Sequence, residues 1–322
     1  MHFLVGPTAV GKTDIAAEIA ARIDAEIVSA DAFQIYRGLD ILTAKPSPDL
    51  LAKIPHHLIG EISLTQNFDV AQFEKMARQR MREIAARGKR VLVVGGTGLY
   101  IRALTHGLND LPQADATLRA QLEALSHDEL AACLAELDAH AMKWIDLKNK
   151  RRVIRAVEVC LLTGKPFSSF RDKWKNSPRE ISDALEPSRE NRSREKFSEK
   201  FSGALLMRNR DELYSRIDAR ARQMFENGVV EEVRALDNNE IKIGATASQV
   251  IGLREIRALI RGELSEAECI AKIQLSTRRY AKRQMTWFRR DSVFMQIDLT
   301  NNRDSRLVSE LIAQKFLSAD SR

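Results

Sequence analysis

The apolar positions of this chain fall into two alternating patterns. Short, almost wholly apolar runs recur at 3–5, 26–29, 90–94, 204–207 and 293–297, each closed by turn-forming residues. A strand with one face in water would alternate apolar and polar side chains, so runs of this kind predict strands covered on both faces. Between them lie longer stretches with apolar residues every three or four positions, such as 70–87 and 211–225, which predict helices. Strands separated by helices imply a parallel sheet with helices on both sides, an α/β fold. Between 111 and 202 the alternation stops, and helical patterns follow one another at 116–125, 128–137 and 151–162. This change predicts an all-helical insertion, residues 114–202, set into a core built from 1–113 and 203–322. Toward its far end, 186–196 is dense in both charges and almost free of apolar side chains, so a mobile loop is expected there.

With 322 residues, 44% of them hydrophobic, the chain is long enough to bury a large core beside a second, smaller unit. Its mean hydropathy of −0.30 predicts a soluble protein. No stretch approaches the roughly twenty apolar residues a membrane helix needs. Met1 runs straight into the first strand pattern, with no room for a cleavable signal, so the expected location is the cytoplasm, without a membrane partner. Cys133, Cys160 and Cys269 are far apart, which excludes a disulfide framework and a C-x-x-C metal site. The excess of 51 Lys and Arg over 44 Asp and Glu, a net charge of +7, is compatible with a nucleic-acid partner, but only its distribution can argue for one.

That distribution is clustered. Along 278–290, Arg278 stands one helical turn from Lys282, and Arg279 one turn from Arg283, giving two adjacent cationic stripes. Like charges at that spacing repel, and an external polyanion would relieve them; the interleaved Trp287 and Phe288 suit either base stacking or the core. A second cluster, Lys148, Lys150, Arg151, Arg152 and Arg155, opens a helix of the insertion. Two basic patches so far apart in sequence suggest a long polyanion, and a solvated helix face is the plain alternative for each.

The sharpest chemical signal is Gly6-Pro7-Thr8-Ala9-Val10-Gly11-Lys12-Thr13, a complete G-x-x-x-x-G-K-[ST] loop between a strand pattern and a helix pattern. Such a loop turns successive backbone N–H groups toward one anion at the positive end of a helix. Lys12 adds a mobile charge, and Thr13 offers a hydroxyl to a phosphate-bound Mg²⁺. The chain is therefore expected to grip a di- or triphosphate. Asp31 follows the second strand pattern and should face the same crevice, as a general base, as a Mg²⁺ partner through water, or simply as the cap of the next turn. Gly95-Gly96-Thr97-Gly98 follows the third strand pattern and would let the backbone approach a ligand closely. The His56-His57 pair lacks further ligands at metal spacing and reads as structural or as pocket lining.

Taken together, these segments resemble the tRNA dimethylallyltransferases. The likeness runs over nearly the whole chain, through 6–13, 29–38, 43–46, His56-His57, 95–100, 151–155, 210–214 and 279–284, in order and at matching spacing. It implies a P-loop NTPase-like core and transfer of a dimethylallyl group from dimethylallyl diphosphate to N6 of adenine 37 in tRNA. It further implies Mg²⁺ as cofactor and tRNA and dimethylallyl diphosphate as partners of a monomer. In that family the matching Asp31 takes the proton from the nucleophile, Thr97 contacts the substrate, and Lys12 belongs to the catalytic set. Residues Gly6 to Thr13 would hold the diphosphate, with Arg216 or Arg220 as a possible clamp. Asp31, Ala32, Phe33, Gln34 and Thr97 would meet the base. Arg119, Arg151, Arg152, Val153, Ile154, Arg155, Gln249, Val250, Ile251, Gly252, Leu253 and Arg254 would hold the RNA. The chain departs from the usual pattern at Ala32-Phe33 (commonly Ser-Met), Leu42 (Gly), Lys148-Asn149 (Asn-Asp) and Leu253 (Tyr). These departures bear on RNA contacts and leave Lys12, Thr13, Asp31 and Thr97 untouched. Three alternatives stay open: a prenyltransferase acting on free adenosine nucleotides, a P-loop kinase or ATPase, and a GTPase-like RNA-binding module, the last without an N-K-x-D signal.

Overall fold

A computed structural model describes residues 1–108, 111–170, 201–239, 241–289, 293–301 and 304–320. The expected loop at 186–196 and Arg290 lie outside the described residues. Six strands form one parallel sheet: β1 (His2–Val5), β2 (Ala25–Ala30), β3 (His56–His57), β4 (Arg90–Gly95), β5 (Ser202–Met207) and β6 (Met295–Asp298). Their spatial order is β3-β2-β4-β1-β5-β6. Five of them occupy the apolar runs read in the sequence. The sixth, β3, is two residues long, too short to carry a pattern, and is held by pairing with Ile27 and Val28.

Both faces of the sheet are buried, which is why the strands read as apolar runs. Phe3, Val5, Val28, Val93 and Leu205 point into one core, while Leu4, Ile27, Leu92, Ala204 and Leu206 point into the other. Among the helices, α1 (Lys12–Ile23) and α2 (Pro48–Lys53) follow β1 and β2, and α3 (Val70–Ala86) and α4 (Gly98–His106) flank β4. Asp69 caps α3 through a reciprocal bond pair with Gln72, so the apolar face of Phe73, Ala77, Met81 and Ile84 enters the first core at a fixed angle.

Next in the chain come α5 (Ala116–Ala124), α6 (His127–Asp138) and α7 (Lys150–Thr163), capped by Asp115, Ser126 and Asn149. They share a small core of Leu122, Leu130, Leu134, Val153 and Val157. The remaining helices are α8 (Arg210–Glu226), α9 (Val229–Asn238), α10 (Leu253–Ile260), α11 (Glu266–Phe288) and α12 (Ser305–Asp320). Two compact units result, Met1–Thr105 with Glu180–Arg322, and His106–Arg179. The chain leaves the sheet unit where α4 ends, earlier than residue 114. No helix among the described residues is long and apolar enough to cross a membrane.

Candidate active site

Because every strand pair is parallel, the loops after β1, β2, β4 and β5 all leave the same edge of the sheet. Gly6 follows Val5, Asp31 follows Ala30, Gly96 follows Gly95 and Arg208 follows Met207. Topology alone thus gathers the anion loop, the carboxylate and the Thr97 loop at the carboxyl ends of the strands. A cavity of about 400 Å³ opens there. Its polar wall includes Lys12, Thr13, Asp31 and Arg220, and its apolar wall Ile27, Pro46 and Ile59.

The anion loop is shaped by its backbone. Gly11 caps α1 at φ 107°, a left-handed conformation that costs a side-chain-bearing residue strain, and Ala9 adopts φ 62° beside it. At Gly6 a Cβ would fall 2.7 Å from the Leu206 carbonyl oxygen, so the strand junction admits no side chain. Lys12 Nζ donates to Gly6 O at 2.9 Å and Pro7 O at 2.7 Å. Burial pushes its ammonium down to about 8, Asp31 opposing the shift and Arg220 adding to it. A diphosphate would restore the charge that burial disfavours.

Three arginines close the loop from the β5–α8 side. Arg208 Nε donates to Val10 O at 3.0 Å, Arg216 Nε to Ala9 O at 2.8 Å, and Arg220 Nη2 to Thr8 Oγ1 at 2.5 Å. Arg208 is also tied to Glu212 and Leu299 O, which makes it a strut. Arg216 and Arg220 instead line the cavity and are free to exchange a neutral oxygen for a charged one. Thr8, Ala9, Gly11, Lys12 and Thr13 reach the cavity, whereas the Val10 side chain is fully buried in the core.

Asp31 is both cap and candidate base. Oδ1 accepts from Phe33 N at 2.9 Å and Gln34 N at 3.3 Å, fixing the turn, and both bonds fall on that one oxygen, so Oδ2 is left for chemistry. Thr97 Oγ1 accepts from Ala32 N at 3.1 Å, which fastens the third loop to the Asp31 turn. Gln34 turns inward, donating to Thr43 O and Ala44 O, and lines the cavity.

The glycine-rich turn serves packing as well as the cavity, which Gly95 lines. A Cβ at Gly95 would lie 2.2 Å from Ala30 O, at Gly96 2.3 Å from Gln284 Nε2, and at Gly98 2.6 Å from the Trp287 ring. These glycines admit β2 and α11. The basic stripe on α11 is likewise divided: Arg278 is consumed by Asp218, while Arg279, Lys282 and Arg283 stay exposed. Tyr280 and Gln284, given no role of their own within the 279–284 likeness, lie on a more buried side of the helix than the cations.

His57 binds Glu26 at 2.6 Å on the edge strand and His56 lines the cavity, so the pair is structural and pocket-lining. Within the helical unit, Arg151 and Arg152 are exposed, but Val153 and Ile154 are 2% and 5% exposed core side chains that offer RNA only their backbone. Arg119 and Arg155 both bind Glu158, whose side chain is fully buried. Burial pushes that carboxyl up, and the two guanidinium groups outweigh it, so the net shift is down. Holding this buried charge is enough to account for both arginines. In the sheet unit, Gln249 and Arg254 are exposed and Ile251 half-buried, whereas Val250, Gly252 and Leu253 are buried; Leu42, placed where a Gly is common, packs against Gly252.

No group of three or more His, Cys, Asp or Glu among the described residues could hold a metal by itself. Thr13 and Asp14 do line the cavity beside Lys12, a donor set that fits a Mg²⁺ carried mainly by phosphate oxygens and water.

Comparison with known proteins agrees with this arrangement. The IPP transferase family model matches residues 34–291. The tRNA dimethylallyltransferase of Akkermansia muciniphila is 38% identical over 98% of this chain and 98% of its own length. That of Geobacter sulfurreducens is 40% identical over 97% and 94%. Among solved structures, the tRNA isopentenylpyrophosphate transferase of Bacillus halodurans matches with a TM-score of 0.68 at 33% identity, covering 99% of this chain and 97% of that one. A eukaryotic dimethylallyltransferase acting on tRNA shares the fold, with a TM-score of 0.79 at 23% identity over 99% of this chain and 79% of its own. With relatives this similar along almost its whole length and the family model spanning most of it, the chain belongs to the IPP transferase family.

Proposed function

We propose that this protein transfers the dimethylallyl group of dimethylallyl diphosphate to N6 of adenine 37 in the anticodon loop of tRNAs that read codons starting with U, releasing pyrophosphate. Family membership supports the reaction class. The observation that carries the donor assignment is the mixed lining of the cavity. Lys12 and Arg220 supply cationic groups suited to a diphosphate, and Ile27, Pro46 and Ile59 supply apolar surface suited to a prenyl chain. A kinase or ATPase site would place a polar acceptor or a positioned water opposite the phosphates.

The adenine N6 attacks C1 of the donor, the C1–O bond breaks, its electron pair leaves with pyrophosphate, and the N6 proton passes to Asp31. Lys12 gives up two carbonyl partners for the leaving group, so the protein's positive charge meets negative charge as it develops. Mg²⁺, when bound to the diphosphate, supplies further neutralisation, with Thr13 as the protein's hydroxyl ligand. Asp31 is held to its turn through Oδ1, which preorients Oδ2 as the base. The target base must leave its stack to reach this point.

Exposed Arg151 and Arg152 on the helical unit, and Gln249, Arg254, Arg279, Lys282 and Arg283 on the sheet unit, are the side chains we assign to RNA. We take residues 114–202 to serve as an RNA-contacting domain, and the protein to act as a cytoplasmic monomer. Incubation with labelled dimethylallyl diphosphate, Mg²⁺ and an anticodon stem-loop carrying A36-A37 is expected to place label in the RNA. Label transfer from ATP, with none from the prenyl donor, would overturn the assignment.

A further inference from the structure

Gln284 takes no part in the chemistry above, yet it is 4% exposed and bridges two of the site's loops. Its Oε1 accepts from Thr8 N at 2.8 Å, and its Nε2 donates to Gly96 O at 2.9 Å. A backbone N–H only donates and a carbonyl only accepts, so this amide has one satisfied orientation. Thr8 belongs to the anion loop. Gly96 precedes Thr97, whose hydroxyl holds Ala32 N next to Asp31. One turn earlier on α11, the Tyr280 hydroxyl interacts with the Thr97 and Gln284 side chains. At its other end, the Thr8 hydroxyl accepts from Arg220 on the cavity wall.

A line of hydrogen bonds, completed by the Thr8 residue itself and by the Gly96–Thr97 peptide link, therefore runs from Arg220 through Gln284 to the Asp31 turn. Gly96 is glycine because any Cβ there would collide with the Gln284 amide. Arg220 holds Thr8 through one of its N–H groups, so a diphosphate that engages Arg220 acts directly on one end of that line. We propose that Gln284 is a positioning residue that couples diphosphate binding in the anion loop to the grip on the acceptor RNA at Asp31 and Thr97. The proposal rests on the function proposed above and adds to it a mutual dependence of the two binding events. Coupling of this kind is reciprocal, so the RNA must tighten diphosphate binding by the same factor.

The test measures three dissociation constants on the full chain with Mg²⁺: inorganic pyrophosphate alone, the A36-A37 anticodon stem-loop alone, and the stem-loop at saturating pyrophosphate. In the wild type, pyrophosphate is expected to tighten stem-loop binding at least about fivefold. Gln284→Leu removes both bonds at similar size, and Gln284→Glu keeps the acceptor for Thr8 but sets a carboxylate oxygen against Gly96 O. In Gln284→Leu the two separate constants should move less than about threefold while the coupling factor falls toward one; in Gln284→Glu the added charge on the cavity wall also weakens pyrophosphate alone, and the coupling factor still falls toward one. A merely structural glutamine would leave the factor unchanged or weaken all three constants together, and either result overturns the proposal. Thermal melting checks that the variants are folded, and a wild-type factor of one overturns it without them. Failure of the wild type to bind pyrophosphate would instead sink the reading of the cavity itself.

Discussion

Replacing Asp31 by Asn separates its two roles, because the amide keeps an oxygen where Oδ1 stands and loses only the charge and the basicity. The bonds from Phe33 N and Gln34 N survive on the amide oxygen, so the turn holds, and the stability cost stays below about 1 kcal/mol. Asp31→Ala loses the cap as well and should cost about 1 kcal/mol more. The chemical step loses its proton acceptor. General-base catalysis contributes about 10²- to 10⁴-fold, and each tenfold is 1.36 kcal/mol, so the barrier should rise by about 3–5 kcal/mol. Substrate binding responds differently. Asp31 holds the Lys12 ammonium up against burial, so removing the carboxylate lets Lys12 fall further below about 8. The bound diphosphate favours the charged lysine, so pyrophosphate affinity should change by no more than about threefold. Label transfer into the stem-loop under single-turnover conditions reads the step, calorimetry reads pyrophosphate, and melting reads the fold. An Asp31→Asn protein that transfers label at the wild-type rate would place the base elsewhere. One that loses pyrophosphate binding or unfolds would show that Asp31 is structural.

Two further outcomes follow from charges that the fold buries. Free Lys12 titrates at about 8, down from 10.5, and the bound diphosphate favours its charged form, so binding takes up a proton on the alkaline side. Pyrophosphate affinity should be flat in this respect below about pH 8 and weaken by up to about tenfold per unit above it. Lys12→Met should bind far more weakly and lose that slope; since the ligand's own titration is common to both proteins, equal slopes would refute the assignment. In the helical unit, Glu158→Ala would remove the partner of Arg119, Arg155 and the Asp115 N–H, at a cost of about 1–2 kcal/mol because both guanidinium groups keep contact with water, while pyrophosphate binding by the sheet unit persists. Urea melts of the two proteins compare the stability, and an unchanged midpoint would mean that the arginines find water instead.

Much of the site could be read from the chain because it depends on short-range chemistry. Gly11 and Lys12 announce an anion loop by backbone conformation and charge within eight residues, and Asp31 by its place after an apolar run. Tyr280 and Gln284 entered only as part of the 279–284 likeness, because a polar residue on a helix gains meaning only from what it faces. For the same reason the ion pairs of Arg119, Arg155 and Arg278 could not be read from the chain. Their charge is local information, and the carboxylates that occupy them lie 39, 3 and 60 residues away in sequence.

Periodicity and motif spacing act within a few turns of chain, so five of the six strands, several helices, the anion loop and the family likeness could be read from the residues alone. Tertiary structure alone decided which charges are spent and which are free. It also gave the glycines at 95, 96 and 98 a packing role, by bringing Ala30, Gln284 and Trp287 closer than a Cβ allows. Parallel pairing sets four strand ends at one edge, and burial there converts scattered residues into a cavity in which charge, base and apolar wall act on one another at short range.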